Sequence, residues 1–253
     1  MRTVLITGAS SGIGAACAQV LATESNYRLL LCARRADRLT SLTNEIHSLH
    51  PNVDIHSFTL DVRDNAEVKR AIASLPPEWQ NIDVLINNAG LSQGLDALQD
   101  GDTDDWDRMI DTNVKGLLYV SKTVIPLLKK STRAHIINIG SIAGKEVYPN
   151  GNVYCATKHA VDALNKAMRI DLLPFGIKVT AINPGMVETE FSEVRFKGDK
   201  ERAKNVYAGV VPLSGLDIAE TIRYVLSLPA HVNINDLLIM PTAQATGTVI
   251  VRN

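Results

Sequence analysis

Short apolar runs alternate with amphipathic stretches along most of this chain, and few folds can absorb that pattern. The runs are "TVLITG" (3–8), "YRLLLCA" (27–33), "VDIHSFTLD" (53–61), "IDVLINNAG" (82–90), "AHIINIGS" (134–141), "IKVTAINPG" (177–185) and "DLLIM" (236–240). They read as near-continuous apolar segments, as strands do when helices cover both faces of a parallel sheet. Helical periodicity fills the gaps near 12–24, 35–49, 64–74, 103–130, 151–174 and 217–228. This alternation predicts a doubly wound α/β fold with right-handed crossovers. No repeat, low-complexity tract or linker divides the 253 residues, so residues 1–253 are read as one domain. The stretch 186–215 lacks clear periodicity. A long loop after the sixth strand is expected to serve as a substrate lid.

Composition narrows the partners. A net charge of −1 gives no general pull toward nucleic acid or an anionic membrane. Any anion site must therefore be local. Cys17, Cys32 and Cys155 are scattered, with no CxxC pair. They read as reduced thiols, not as a disulfide frame or a zinc site, and no other metal site is expected. The chain shows no signal peptide or long apolar span, which predicts a soluble cytoplasmic protein.

A local anion site is present. "TGASSGIG" (7–14) links the first strand to the first helix. Gly8, Gly12 and Gly14 permit close approach of backbone to a ligand, and a helix N-terminus favours a pyrophosphate. The second strand then ends in "CARRAD". An acid at that tip would hold the 2′-hydroxyl of NAD, whereas a basic residue suits the 2′-phosphate of NADP. Arg34 and Arg35 stand there, and an arginine grips phosphate with a planar fork. The expected cofactor is NADP.

"VYCATK" (153–158) places Tyr154 four residues ahead of Lys158. On a helix these share one face, about 5–6 Å apart at Cβ. A free tyrosine has a pKa near ~10, and bringing it down by roughly three units needs about 4 kcal/mol. Lys158 and a positive nicotinamide ring are expected to supply it. Tyr154 would then take a proton from an alcohol or give one to a carbonyl. Alone, the spacing equally describes a half-buried tyrosine beside a surface lysine. Ser141 ends the fifth run, where a hydroxyl suits either a helix cap or a substrate oxygen. Trp106, Ile110, Asn113 and Leu117 fall on one helical stripe, so the Asn113 amide should be buried and hydrogen-bonded. Thr103 is the expected N-cap.

Taken in order, Gly8-x-x-x-Gly12-x-Gly14, "NNAG" (87–90), Asn113, Ser141, Tyr154-x-x-x-Lys158 and "NPG" (183–185) resemble the short-chain dehydrogenase/reductase family over most of the chain. The resemblance implies a Rossmann-type, seven-stranded parallel sheet, NAD(P)-dependent alcohol or carbonyl chemistry and a homotetramer. It assigns catalysis to Asn113, Ser141, Tyr154 and Lys158, with Asn113 holding a water that links Lys158 to solvent. It assigns cofactor contacts to Gly8, Ser10, Ser11, Gly12, Ile13, Gly14, Arg34, Arg35, Asp61, Val62, Asn88, Gly90, Tyr154, Lys158, Pro184, Gly185, Val187 and Thr189. Among these, Asp61 resembles the acid that meets adenine, and Thr189 the threonine that meets the nicotinamide carboxamide.

"EVRFKGD" (193–199) and "LPAHVNINDLLIMPTAQ" (228–244) resemble a narrower group, the NADP-dependent 3-hydroxy acid and serine dehydrogenases. This implies oxidation at the 3-hydroxyl of serine, allo-threonine or 3-hydroxypropionate-type acids, and reduction of the semialdehydes. Ser141, Tyr154 and Arg195 would bind substrate, with Arg195 or Lys197 meeting its carboxylate. A carbonyl reductase of neutral ketones and aldehydes is the nearer alternative. A non-catalytic NADP sensor is the remote one.

Overall fold

The computed structural model describes residues 1–253. Its first half runs Arg2–Thr7 (β1), Gly12–Ala22 (α1), Tyr27–Ala33 (β2), Ala36–Leu49 (α2), Ile55–Thr59 (β3), Asn65–Ala73 (α3), Val84–Asn87 (β4), Thr103–Ile110 (α4) and Leu117–Leu128 (α5). The second half runs His135–Ile139 (β5), Asn152–Leu172 (α6), Lys178–Pro184 (β6), Val187–Glu188 (β7), Phe191–Arg195 (α7), Lys200–Asn205 (α8), Leu213–Ser214 (β8), Gly215–Ser227 (α9) and Asp236–Ile239 (β9). Seven strands form one parallel sheet in the order β3-β2-β1-β4-β5-β6-β9, the doubly wound fold expected from the alternation and the Rossmann-type sheet that the resemblance implies.

Strand periodicity divides the core between two faces. Val4 and Ile6 of β1 point into a cluster with α1, α2 and α9, while Leu5 points into a second with α5 and α6. All six residues of β1 are buried, which explains its unbroken apolar run. No helix is long and apolar enough to cross a membrane.

The order of strand addition reverses between β1 and β4, with β2 and β3 added on one side and β4, β5 and β6 on the other. Ligand crevices form at such switch points, beyond the carboxyl ends of the strands. Here the two tips are locked together. Thr7 Oγ1 accepts from the Asn88 and Ala89 amides at 3.1 and 3.0 Å. Asn88 Nδ2 donates back to the Thr7 and Gly8 carbonyls at 2.9 and 3.0 Å. Gly8 adopts φ +65°, and a Cβ there would press on Ala89 Cα. One step deeper, Asn87 Nδ2 donates to Asn138 Oδ1 (2.9 Å), and Asn138 Nδ2 to Asn165 Oδ1 (3.0 Å). This buried amide row ties β4, β5 and α6 directly beneath the crevice.

Three expectations need correction. The helix expected over 103–130 is interrupted by a widened π turn at Asp111–Gly116. A π turn holds an extra residue, so it rotates the faces that follow. The stripe is therefore broken: Ile110 is 39% exposed, while Asn113 and Leu117 are buried. The N-cap is Asp102, whose carboxylate accepts from the Asp104 amide; Thr103 is already helical. The aperiodic stretch 186–215 is also not a plain loop. It holds α7, α8 and the small parallel pair β7–β8, elements too short to show a period.

Candidate active site

A cavity of about 340 Å³ opens at the switch point. Its walls bring together residues from the "TGASSGIG" turn, the tips of β2 to β6 and the start of the 186–215 segment. Gly8, Ser10, Ser11, Gly12, Ile13, Arg34, Arg35, Asp61, Val62, Asn88, Gly90, Ser141, Tyr154, Lys158, Pro184, Gly185, Val187 and Thr189 all line it. Gly14 and Asn113 lie behind the wall. A Cβ on Gly14 would strike the Gly8 carbonyl and the Asn88 amide, so Gly14 lets α1 pack against the strand tips.

The cavity fits NADP on three observations. Ser11, the N-cap of α1, makes no side-chain cap bond, which leaves the first-turn amides of α1 available to a pyrophosphate. Arg34 lines the wall without an ion pair of its own. Lys158 Nζ has one partner, the Ile139 carbonyl at 2.9 Å. Arg35 is more committed: Nη2 donates to Ser11 Oγ at 2.7 Å, and Nη1 to Glu190 Oε2 at 3.0 Å. Asp61 is held by Arg63 in a fork, with 3.0 Å contacts from Nε. Burial pushes its carboxyl up, but the Arg63 bonds outweigh that and hold it below its usual value.

At the inner end Tyr154 and Lys158 lie on one face of α6, both buried. Lys158 Nζ is 5.9 Å from the Tyr154 ring centre. Lys158 alone does not lower the phenol; the expectation paired it with a positive nicotinamide ring. Burial pushes Tyr154 up, Tyr148 adds to that, and the opposing influences of Arg195 and Ser141 are smaller. Burial also lowers Lys158 to about 8. Taking both groups out of water disfavours both charged forms, so the resting phenol keeps its proton.

The Asn113 amide makes three of its four possible hydrogen bonds, with one Oδ1 lone pair left over. Its Oδ1 accepts from the Leu91 amide at 2.8 Å, and its Nδ2 donates to the Leu91 carbonyl at 2.8 Å and to Thr157 Oγ1 at 3.1 Å. The π turn aims this amide at the segment after β4. Gly90 leaves the space: a Cβ there would come 3.3 Å from Asn113 Oδ1 and 3.7 Å from Lys158 Nζ. Ser141 lies two residues past β5 and caps a short 3₁₀ turn, accepting from the Ala143 amide at 3.1 Å. Its hydroxyl hydrogen remains free to donate.

Arg195 does not line this cavity; half-buried at the end of α7, it reaches the Tyr154 ring from outside the wall. Its Nε donates to Ser92 Oγ (3.0 Å) and its Nη2 to Tyr148 Oη (3.1 Å), leaving the guanidinium carbon 5.2 Å from the Tyr154 ring centre. Phe191 packs edge-on against Tyr154. Lys197 points elsewhere, pairing with Asp102 and the buried Asp105. It pins the segment and is not a carboxylate clamp.

The short chain dehydrogenase model matches residues 2–200. This chain belongs to that family. Among its relatives, the NADP-dependent 3-hydroxy acid dehydrogenase YdfG of Salmonella typhi is 44% identical over 243 residues, 96% of each chain. Sulfoacetaldehyde reductase 2 of Chromohalobacter salexigens is 44% identical over 243 residues, 96% of this chain and 95% of that one. Among solved structures, the closed form of serine dehydrogenase complexed with NADP+ matches with a TM-score of 0.92 at 41% identity, covering 100% of both chains.

Several residues of this short-chain dehydrogenase site carry no sequence signal. Ser92 and Tyr148 matter only because Arg195 reaches them. Gln244, a buried residue far along the chain, accepts from the Met186 amide at 2.8 Å and so holds the turn after "NPG". Thr157 looks like an ordinary helix residue until Asn113 bonds to it.

Burial of Lys158 gives a direct measurement. In the cofactor-free enzyme its ammonium should lose its proton near pH 8, while exposed lysines titrate near ~10.4. Carbon NMR of ε-labelled lysine, with Lys158→Met to assign the signal, checks this. A Lys158 signal that titrates with the exposed lysines contradicts it.

Proposed function

We propose that this short-chain dehydrogenase uses NADP to oxidise the 3-hydroxyl of small 3-hydroxy acids, and in reverse reduces the corresponding semialdehydes. The observation that carries the reading is Arg195, a cation held by Ser92 and Tyr148 on the substrate side of Tyr154. A half-buried cation beside the proton-transferring tyrosine suits an anionic substrate end. The names of the 3-hydroxy acid and serine dehydrogenases support a carboxylate. A sulfonate is the second reading, favoured by the equal identity to a sulfoacetaldehyde reductase.

The roles we assign come from the family resemblance, and the lining of the cavity supports them. Arg34 and Arg35 would hold the 2′-phosphate, the first turn of α1 the pyrophosphate, and Lys158 the nicotinamide ribose. Asp61 would meet adenine and Thr189 the carboxamide. When bound, NADP supplies the hydride acceptor and, oxidised, a positively charged ring. Ser141 donates to the substrate oxygen. Tyr154 gives its proton to a carbonyl oxygen, or takes one from the hydroxyl. Its buried, protonated resting state suits donation; removal of a proton needs added positive charge, and Arg195 already acts in that direction. Asn113 positions the wall behind Lys158 and would hold the relay water there. The segment 186–215 would act as the substrate lid. A homotetramer in the cytoplasm belongs to the same proposal. Exposed apolar Ile170, Leu173 and Phe175, at the end of α6 and just beyond, offer surface for a second copy.

Three variants test this. Tyr154→Phe should lower turnover by about 10²–10⁴-fold with NADP binding by calorimetry unchanged; retained turnover sinks the assignment. Arg34→Ala with Arg35→Ala should reduce the NADP-to-NAD efficiency ratio, and an unchanged ratio removes the 2′-phosphate reading. Arg195→Met should raise KM for 3-hydroxy acids by roughly 10–100-fold, as loss of a charged hydrogen bond does, and leave the KM of neutral alcohols unchanged. Serine, a 3-hydroxybutyrate-type acid, isethionate and a neutral alcohol, followed by NADPH absorbance, separate carboxylate, sulfonate and neutral substrates.

A further inference from the structure

Glu190 joins the two ends of this cavity. It lies at the start of α7 and lines the wall beside Arg35. One carboxylate oxygen accepts from Arg35 Nη1 at 3.0 Å, and the other is 3.4 Å from Arg38 Nη1. The remaining nitrogens of Arg35 hold Ser10 and Ser11 of the phosphate turn. Immediately after Glu190 come Phe191, edge-on to Tyr154, and, one helical turn on, Arg195. An unbroken line of contacts thus runs from the phosphate turn, through Arg35 and Glu190, to the substrate chamber.

Charge gives this line a direction. Arg35 and Arg38 place two positive charges on Glu190, and Arg34, unpaired and acting on Asp61, adds a third beside them on the same wall. Such a set repels itself. A phosphate monoester adds about −1.5 to −2 charge at neutral pH, which brings the cluster close to balance; a bare 2′-hydroxyl adds none. With phosphate present, Arg35 is fixed from the cofactor side and Glu190 is fixed with it.

We propose that Glu190 is a positioning residue that couples the 2′-phosphate of NADP to closure of α7 over the substrate. NADP therefore tightens the chamber around the hydroxy acid, and NAD does not. Coupling of this kind is reciprocal, so substrate also tightens NADP more than NAD. The inference rests on the reading that Arg34 and Arg35 hold the 2′-phosphate.

Limited trypsin digestion reads closure without turnover, because Arg195, Lys197, Lys200, Arg202 and Lys204 all lie in α7, α8 and the link between them. In the wild type, saturating NADP should slow cleavage at these sites about fivefold more than saturating NAD, the lower end of ordinary coupling. In Glu190→Gln that difference should vanish while calorimetry shows NADP binding no weaker. The hydroxy-acid KM should rise with NADP and stay unchanged with NAD. The proposal is overturned if Glu190→Gln keeps the extra NADP protection, or if the wild type shows none. Faster cleavage with NADP also overturns it, since phosphate would then displace Glu190 and release α7. Loss of cofactor preference in the Arg34/Arg35 variant alongside a silent Glu190→Gln removes this coupling alone. An unchanged preference in that variant removes both.

Discussion

The site depends on how closely the tips of β1 and β4 meet. Thr7, Gly8 and Asn88 exchange backbone and side-chain hydrogen bonds there, in a space that Gly8 and Gly14 leave open. Everything with chemistry on it hangs from that junction. On one side it sets the first turn of α1, uncapped and ready for an anion. On the other it sets Gly90 and Leu91, which receive Asn113 and so fix the wall behind Lys158. A side chain at either glycine would move both halves of the cavity together.

Within that frame, burial does two opposed things. It holds Tyr154 and Lys158 in defined positions against well-packed walls, and it penalises both of their charged forms. A group tuned this way in the empty protein is not poised to remove a proton. It is poised to respond, because a charge brought into a dry chamber acts more strongly than in water. Arg195 is informative for a different reason, its place beside Tyr154. A guanidinium held by two neutral hydroxyls is still short of a counter-charge, and the chamber is where a substrate anion would provide one.

Much of this was readable in the residues. The seven apolar runs mark all seven strands of the main sheet, because a strand covered on both faces has no choice but to be apolar. The glycine turn and Arg34–Arg35 could be read because their chemistry is local: phosphate recognition needs those residue types at a strand tip. What escaped is what distance creates. Arg195 meets Ser92 from 103 positions away, and Glu190 meets Arg35 from 155. No local pattern records such pairs. The π turn escaped for a different reason. Its sequence, "DTNVKG", keeps helical composition; the burial of Asn113 was legible, but not that Ile110 of the same stripe turns outward. The Tyr154–Lys158 spacing was legible, but its electrostatics were not, since burial is set by everything packed around the pair.

The pairing of β1 with β4 joins residues 4–6 to residues 84–86. Neither strand can find its partner until some eighty residues have been gathered between them, including two complete crossovers. Long-range parallel pairing of this kind is slow to form. No fragment therefore carries a working cavity, since each wall belongs to a different crossover. A dinucleotide recognises the finished sheet and nothing earlier on the folding path. Mass action then ties the lifetime of the fold to the cofactor supply around it.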